Sequence, residues 1–208
     1  MTNGDYPVRF DVDYPEKLDQ LTTAFRILMI IPIAIVLGTL SSAAMASEVG
    51  EGAKGSGAMG GGLLVFGPLL MILFRQKYPR WWFDWNLELM RFTARVESYF
   101  FLLTDHYPST DEEQAVHLGI DYPDVERDLN RWLPLVKWLL AIPHVIVLFF
   151  LWLAALVVVV IAWFVILFTG RYPRGLFDFV VGVMRWTWRI VAYAAVLTTD
   201  RYPPFRLA

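Results

Sequence analysis

Cysteine is absent from all 208 residues, which excludes a disulfide-stapled secreted domain. An excess of either charge is also lacking. Eighteen Lys and Arg stand against 20 Asp and Glu, for a net charge of −2, and this argues against a strongly basic nucleic-acid binder. Long stretches carry no charge at all. What is present instead is apolar: 57% of the residues, with 9 Trp, 15 Phe and a mean hydropathy of +0.47. So much apolar surface rules out a purely disordered chain. The length suits one or two soluble domains, but this hydropathy and the uneven charge point to a membrane protein.

A transmembrane helix needs about 20 mostly apolar residues to cross about 30 Å of hydrocarbon. Four stretches are read as spans: 24–46, 60–76, 130–150 and 152–169. The last two come from one apolar run, Leu133–Thr169, which is nearly twice the length of a span and is broken only by Lys137 and His144. A turn is therefore expected near Trp152. No signal peptide is expected, because residues 1–26 are polar and carry five acids. Seventeen of the 18 Lys and Arg fall in 1–26, 75–137 and 171–206, and only Lys54 falls in the 47–61 loop. The positive-inside bias then puts the polar bulk and both termini in the cytoplasm, and an even number of spans agrees with this.

The chain reads as a duplication, 1–110 and 111–208. Val8-Arg-Phe-Asp-Val-Asp-Tyr-Pro15 matches Val116-His-Leu-Gly-Ile-Asp-Tyr-Pro123. Arg26 with Ile31-Pro32 matches Lys137 with Ile142-Pro143, and Lys77-Tyr-Pro-Arg80 matches Arg171-Tyr-Pro-Arg174. Arg91, Arg95 and Tyr99 match Arg185, Arg189 and Tyr193. Thr104-Asp105 and Tyr107-Pro108 match Thr199-Asp200 and Tyr202-Pro203 once one extra residue is allowed in the second half. Seven of the nine Tyr are followed by Pro, and six of those seven form matched couples that mark the joints of the unit. Each unit reads as a short cytoplasmic strand (7–13, 115–121), two spans forming a helical hairpin, then an aromatic amphipathic helix (80–104, 174–198). The fold class is mainly α: four membrane helices in two tandem hairpins, with parallel repeats about a pseudo-twofold axis along the membrane normal.

The aromatic helices carry the candidate site. Asp84, Glu88, Arg91 and Arg95 fall at i, i+4, i+7 and i+11, one helical face, and Asp178, Arg185 and Arg189 repeat it with Gly182 in place of Glu88. Such a charged stripe fits an interfacial helix with arginines at lipid phosphates. It also fits a buried ion-pair network across the pseudo-twofold, or a substrate path. Arg26, Lys137 and His144 form a possible intramembrane polar site. His144 reads first as a hydrogen-bonded structural residue, since Ile33 stands at its matched position.

Other motifs carry less. Gly55-Ser-Gly57-Ala-Met-Gly60 matches the dinucleotide fingerprint in letters only, because it follows no strand and opens a span. A serine-protease reading of Ser56 with His144 as base yields to a Gly/Ser linker. His106 and His117 flank Asp111, Glu112 and Glu113 without any familiar metal spacing. No HExxH, GxSxG or paired-Cys pattern occurs, so no catalytic residue, metal or cofactor is expected.

Phe168-Thr-Gly-Arg-Tyr-Pro-Arg-Gly-Leu-Phe-Asp-Phe179, then Gly182, Arg185-Trp186, Arg189, Tyr193, Thr199-Asp200 and Tyr202-Pro-Pro-Phe205, resemble a bacterial membrane family known as domain of unknown function 4389. Ala141-Ile-Pro-His144 resembles it too. The resemblance is strong over 116–207 and looser over 8–108, where Trp82 replaces Leu, Glu88 replaces Gly182 and the histidine after Ile31-Pro32 is missing. It implies architecture and no activity, cofactor or catalytic residue. The expected function is a non-enzymatic multi-pass membrane protein that organises membrane or partner proteins. Its expected partners are anionic lipid headgroups, with the chain a homo-oligomer or an accessory subunit of a membrane complex. The alternative is a small channel, transporter or lipid translocator with a path along the pseudo-twofold axis.

Overall fold

The structure is a computed structural model describing residues 6–46, 69–110, 112 and 114–208. The elements are β1 (Val8–Val12), α1 (Gln20–Ala46), α2 (described residues 69–75), α3 (Arg80–Phe100), β2 (Val116–Ile120), α4 (Val125–Asp128), α5 (Pro134–Thr169) and α6 (Arg174–Ile190). One π-helical turn, Val191–Ala195, continues α6. The chain is mainly helical.

The alternation of apolar residues produces the two strands. Val8, Phe10 and Val12 are buried on one face of β1, and Val116, Leu118 and Ile120 on one face of β2. β1 and β2 pair antiparallel, with Val8 opposite Ile120, Phe10 opposite Leu118 and Val12 opposite Val116. β1 lies on α6 and β2 on α3, and the apolar side chains between them form the main core.

Helix boundaries follow local chemistry. The Asp19 carboxylate accepts the Leu21 N–H at 2.8 Å and its carbonyl accepts the Thr23 N–H, which caps α1. Pro79 and Pro173, extended at ψ 129° and 126°, turn the chain into α3 and α6. Gly170 ends α5 at φ 66°, the left-handed conformation that glycine adopts without strain. The π turn over Val191–Ala195 lies between Arg189 and Thr199 and widens the end of α6.

The expected third and fourth spans are one helix. Pro134–Thr169 runs unbroken for 36 residues, about 54 Å. No turn occurs at Trp152, which sits mid-helix and donates its indole N–H to the Thr187 hydroxyl at 3.1 Å. The physical reason is the absence of any Gly, Pro or capping residue between 145 and 168 to interrupt the backbone ladder. Pro143 is accommodated inside α5, as Pro32 is inside α1. Of the expected second span, residues 69–75 are helical, and 60–68 lie outside the described residues. Two helices are long and apolar enough to cross a membrane, Gln20–Thr39 and Pro134–Thr169.

One stripe of α5 is buried: Lys137, Ala141, His144, Leu148, Ala155, Ala162 and Ile166, spaced by three, four or seven residues. Its alanines bring α5 close to α6 and α1, which pack along it. The other faces of α5 and the outer face of α1 expose large apolar side chains, among them Ile27, Leu28, Leu139, Phe150, Leu156 and Phe168.

Candidate functional site: an arginine-lined cleft at the strand pair

The charged stripes of α3 and α6 divide where they pass the strand pair. Asp84, Glu88 and Asp178 are exposed, whereas Arg95 and Arg189 are 6% and 3% exposed. Arg91, Arg95, Arg185 and Arg189 line a cleft of about 480 Å³ against β1 and β2, together with Arg9 and Arg206. Asp11 is the one carboxylate in that lining among the described residues.

The contacts of these arginines are reciprocal between the halves. Arg91 Nε donates to the Leu118 carbonyl at 3.0 Å, and Arg185 Nε donates to the Phe10 carbonyl at 2.8 Å. Each helix thus holds the strand belonging to the other half. Arg91 also pairs with Glu88 at 2.6 Å, and Arg185 with Asp11 at 3.0 Å. Arg95 donates to the Ser109 carbonyl at 3.0 Å; Arg189 donates to the main-chain oxygens of Arg206 at 3.2 Å and Ala208 at 3.0 Å. Burial lowers the proton affinity of the Arg189 guanidinium, and the nearby charges of Arg185 and Arg206 lower it further. Burial raises the Tyr6 hydroxyl beside it well above its usual range. Asp84 and Asp178 do not line this cleft, so the stripe supplies it with arginines only.

The same reciprocity recurs at the Tyr-Pro joints. Tyr14 donates to the Tyr172 carbonyl, and Tyr122 to the Tyr78 carbonyl, both at 2.5 Å. Phe177 meets Tyr14 edge-on at 5.0 Å and Phe83 meets Tyr122 edge-on at 5.1 Å. Arg174 lies 4.6 Å over Tyr14, and Arg80 lies 5.5 Å over Tyr122.

Arg26, Lys137 and His144 do not share one site. Arg26 pairs with Asp105 and donates to the carbonyls of Tyr99 and Thr104. Lys137 pairs with Asp200 at 2.7 Å and donates to the Thr199 carbonyl at 2.7 Å. The guanidinium lies 4.5 Å over the Tyr99 ring and the ammonium 5.1 Å over Tyr193. His144 accepts the Trp186 indole N–H on Nδ1 at 3.1 Å and stacks on Phe205 at 3.8 Å. Sequence reasoning missed Asp105 and Asp200 as partners of the buried cations. The signal was available: both Thr-Asp pairs match between the halves, as do Arg26 and Lys137.

His117 pairs with Asp13 at 3.1 Å, and His106 is exposed. Asp111, Glu113, Lys54, Ser56 and the rest of the 47–61 loop with its glycine motif lie outside the described residues. Among the described residues, no group of three His, Cys, Asp or Glu is placed to hold a metal ion.

No curated protein and no solved structure matches this chain. Residues 132–206, which hold α5, α6, the π turn and Asp200, match the model of the family described as domain of unknown function (DUF4389), in agreement with the resemblance read over that segment.

Proposed function

We propose that the protein is a non-enzymatic integral membrane protein that organises lipid or partner proteins. One observation carries this reading: the outward faces of α1 and α5 stay apolar along lengths sufficient to cross a membrane, with Phe168 83% and Leu139 66% exposed. Water does not tolerate such a surface, so lipid or another apolar chain covers it. The Lys and Arg bias supports a cytoplasmic side for residues 75–133, and the resemblance to a bacterial family supports the inner membrane; the placement of both termini on that side rests on four spans and does not carry over to an unbroken α5. The reciprocal contacts of the cleft and of the Tyr-Pro joints support two halves, 1–110 and 111–208, related by a pseudo-twofold axis. A homo-oligomer or a larger membrane complex is the natural setting for the apolar surface that lipid leaves uncovered.

The absence of cysteine makes the test clean. Asp128→Cys and His106→Cys, both at exposed positions, each place a single thiol on the proposed cytoplasmic side. Membranes washed in alkaline carbonate are expected to retain the protein, and a membrane-impermeant maleimide is expected to label both thiols only after the inner membrane is opened. Release by carbonate would sink the membrane reading; labelling of intact spheroplasts would reverse the orientation. A small channel, transporter or lipid translocator is the second reading, favoured by the cationic cleft. Ion flux or lipid exchange in reconstituted vesicles would establish it.

A further inference from the structure

Among the described residues, the cleft is lined by more positive charge than negative. Six guanidinium groups line it against the single carboxylate of Asp11, which already serves Arg185. Arg9 turns to Asp121 at 2.6 Å, on the exposed rim, and Arg91 to Glu88. Arg95 and Arg189 are different. Both are more than nine-tenths buried, and neither pairs with an Asp or Glu side chain among the described residues; Arg95 reaches the Ser109 carbonyl, and Arg189 the oxygens of Arg206 and Ala208. The Nε of each is buried with no hydrogen-bond partner among the described residues. The Ser109 carbonyl satisfies one donor of Arg95 but neutralises no charge, and a buried cation without a counter-ion is costly. The crowding of Arg185 and Arg206 around Arg189 adds to that cost.

We propose that this cleft, between the strand pair and helices α3 and α6, binds one phosphorylated anion per chain, with Arg95 and Arg189 as its central partners. The guanidinium is a planar fork that meets oxyanions in pairs of parallel hydrogen bonds. A carboxylate lies in one plane and serves one fork well. A tetrahedral phosphoryl group offers oxygens in several directions and suits arginines that converge from two helices. At about 480 Å³, the cleft has room for a phosphate ester and not only the bare ion. Arg206, exposed at its mouth, adds long-range attraction and no packing role. The ligand is the phosphoryl group of either a lipid headgroup or a soluble phosphate ester. This inference goes beyond the membrane reading and stands on the cleft alone.

The test uses the full chain. Inorganic phosphate is titrated into protein in an uncharged detergent, followed by calorimetry and by the shift in unfolding temperature. In a second arm the protein is placed in phosphatidylcholine nanodiscs, with and without phosphatidylglycerol, and lipid retention is read by native mass spectrometry. The expected result is saturable binding at one site per chain, weakened about tenfold or more in the Arg95→Gln/Arg189→Gln double variant. Arg206→Gln, which leaves the core untouched, weakens it several-fold, and Arg127→Gln on α4 leaves it unchanged. Phosphate binding in detergent identifies a free phosphorylated ligand as sufficient. Selective retention of phosphatidylglycerol with the same dependence on the variants identifies a lipid headgroup. Absence of saturable binding in both arms, or binding to Arg206→Gln and the double variant equal to the wild type, overturns the proposal. Failure here leaves carbonate-resistant membrane insertion standing, and release by carbonate leaves the detergent titration standing.

Discussion

Ile33 and His144 occupy matched positions, one residue after Ile-Pro in α1 and α5, and their neighbours differ with them. Ile33 packs on Phe92 and Val96, while His144 meets Trp186, the residue matched to Phe92. A polar ring in an apolar place is tolerable there because the indole N–H of Trp186 reaches Nδ1 at 3.1 Å. Trp186→Phe removes that donor and leaves a buried acceptor unpaired, so it is expected to lower stability by about 1–3 kcal/mol. His144→Ile in the same chain restores the apolar pairing of the first half. The double variant is therefore expected to be more stable than the sum of the single effects, by a coupling of about 0.5–3 kcal/mol. Equilibrium unfolding in detergent checks this, and simple additivity would count against the pairing.

At the scale of elements, Gly182 shows how one position separates two otherwise similar helices. A Cβ there would come within 2.9 Å of the Leu207 Cβ and 3.2 Å of its carbonyl oxygen. Arg185 holds that carbonyl at 3.2 Å, so the segment cannot easily step away. Gly182→Ala is expected to cost about 1–3 kcal/mol through overpacking. Glu88→Ala, at the matched and exposed position of α3, is expected to stay within about 0.5 kcal/mol. Thermal unfolding of the two variants side by side reads the contrast. The strands and aromatic helices were legible in the sequence because burial on one face imprints a period, two for β1 and β2 and 3.6 for α3 and α6. The four cleft arginines of α3 and α6 were legible for the same reason, whereas Arg9 and Arg206, off those helices, were not. Asp105 and Asp200 left no such period, since they lie past helix ends, and their one mark was the match of the two Thr-Asp pairs. The division of Leu133–Thr169 into two spans rested on length alone, and an all-apolar run without breakers carries no mark of a turn.

Across the whole molecule, two buried ion pairs tie each long apolar helix to the segment that follows its half's aromatic helix. Arg26–Asp105 joins α1 to the chain after α3, and Lys137–Asp200 joins α5 to the chain after the π turn. Lys137 is fully buried, so Asp200→Asn strands a charge and is expected to cost about 3–5 kcal/mol. Replacing both members, Lys137→Met with Asp200→Leu, is expected to recover most of that loss, as measured by unfolding of the three variants. A double variant no more stable than Asp200→Asn would show that the pair contributes more than mutual neutralisation. Other ties cross between residues 1–110 and 111–208: Phe10 to Arg185, Tyr14 to Tyr172, Tyr78 to the Val196 carbonyl. That crossing has a consequence for the order of events during synthesis. A ribosome adds about 5–20 residues per second, so roughly 9–35 seconds separate the making of Phe10 from that of the arginine that holds it. Through that interval β1 lacks its helix, and for the first part of it, until Val116–Ile120 is made, its strand partner as well. The first half of the nascent chain must be kept from other associations until its own second half arrives.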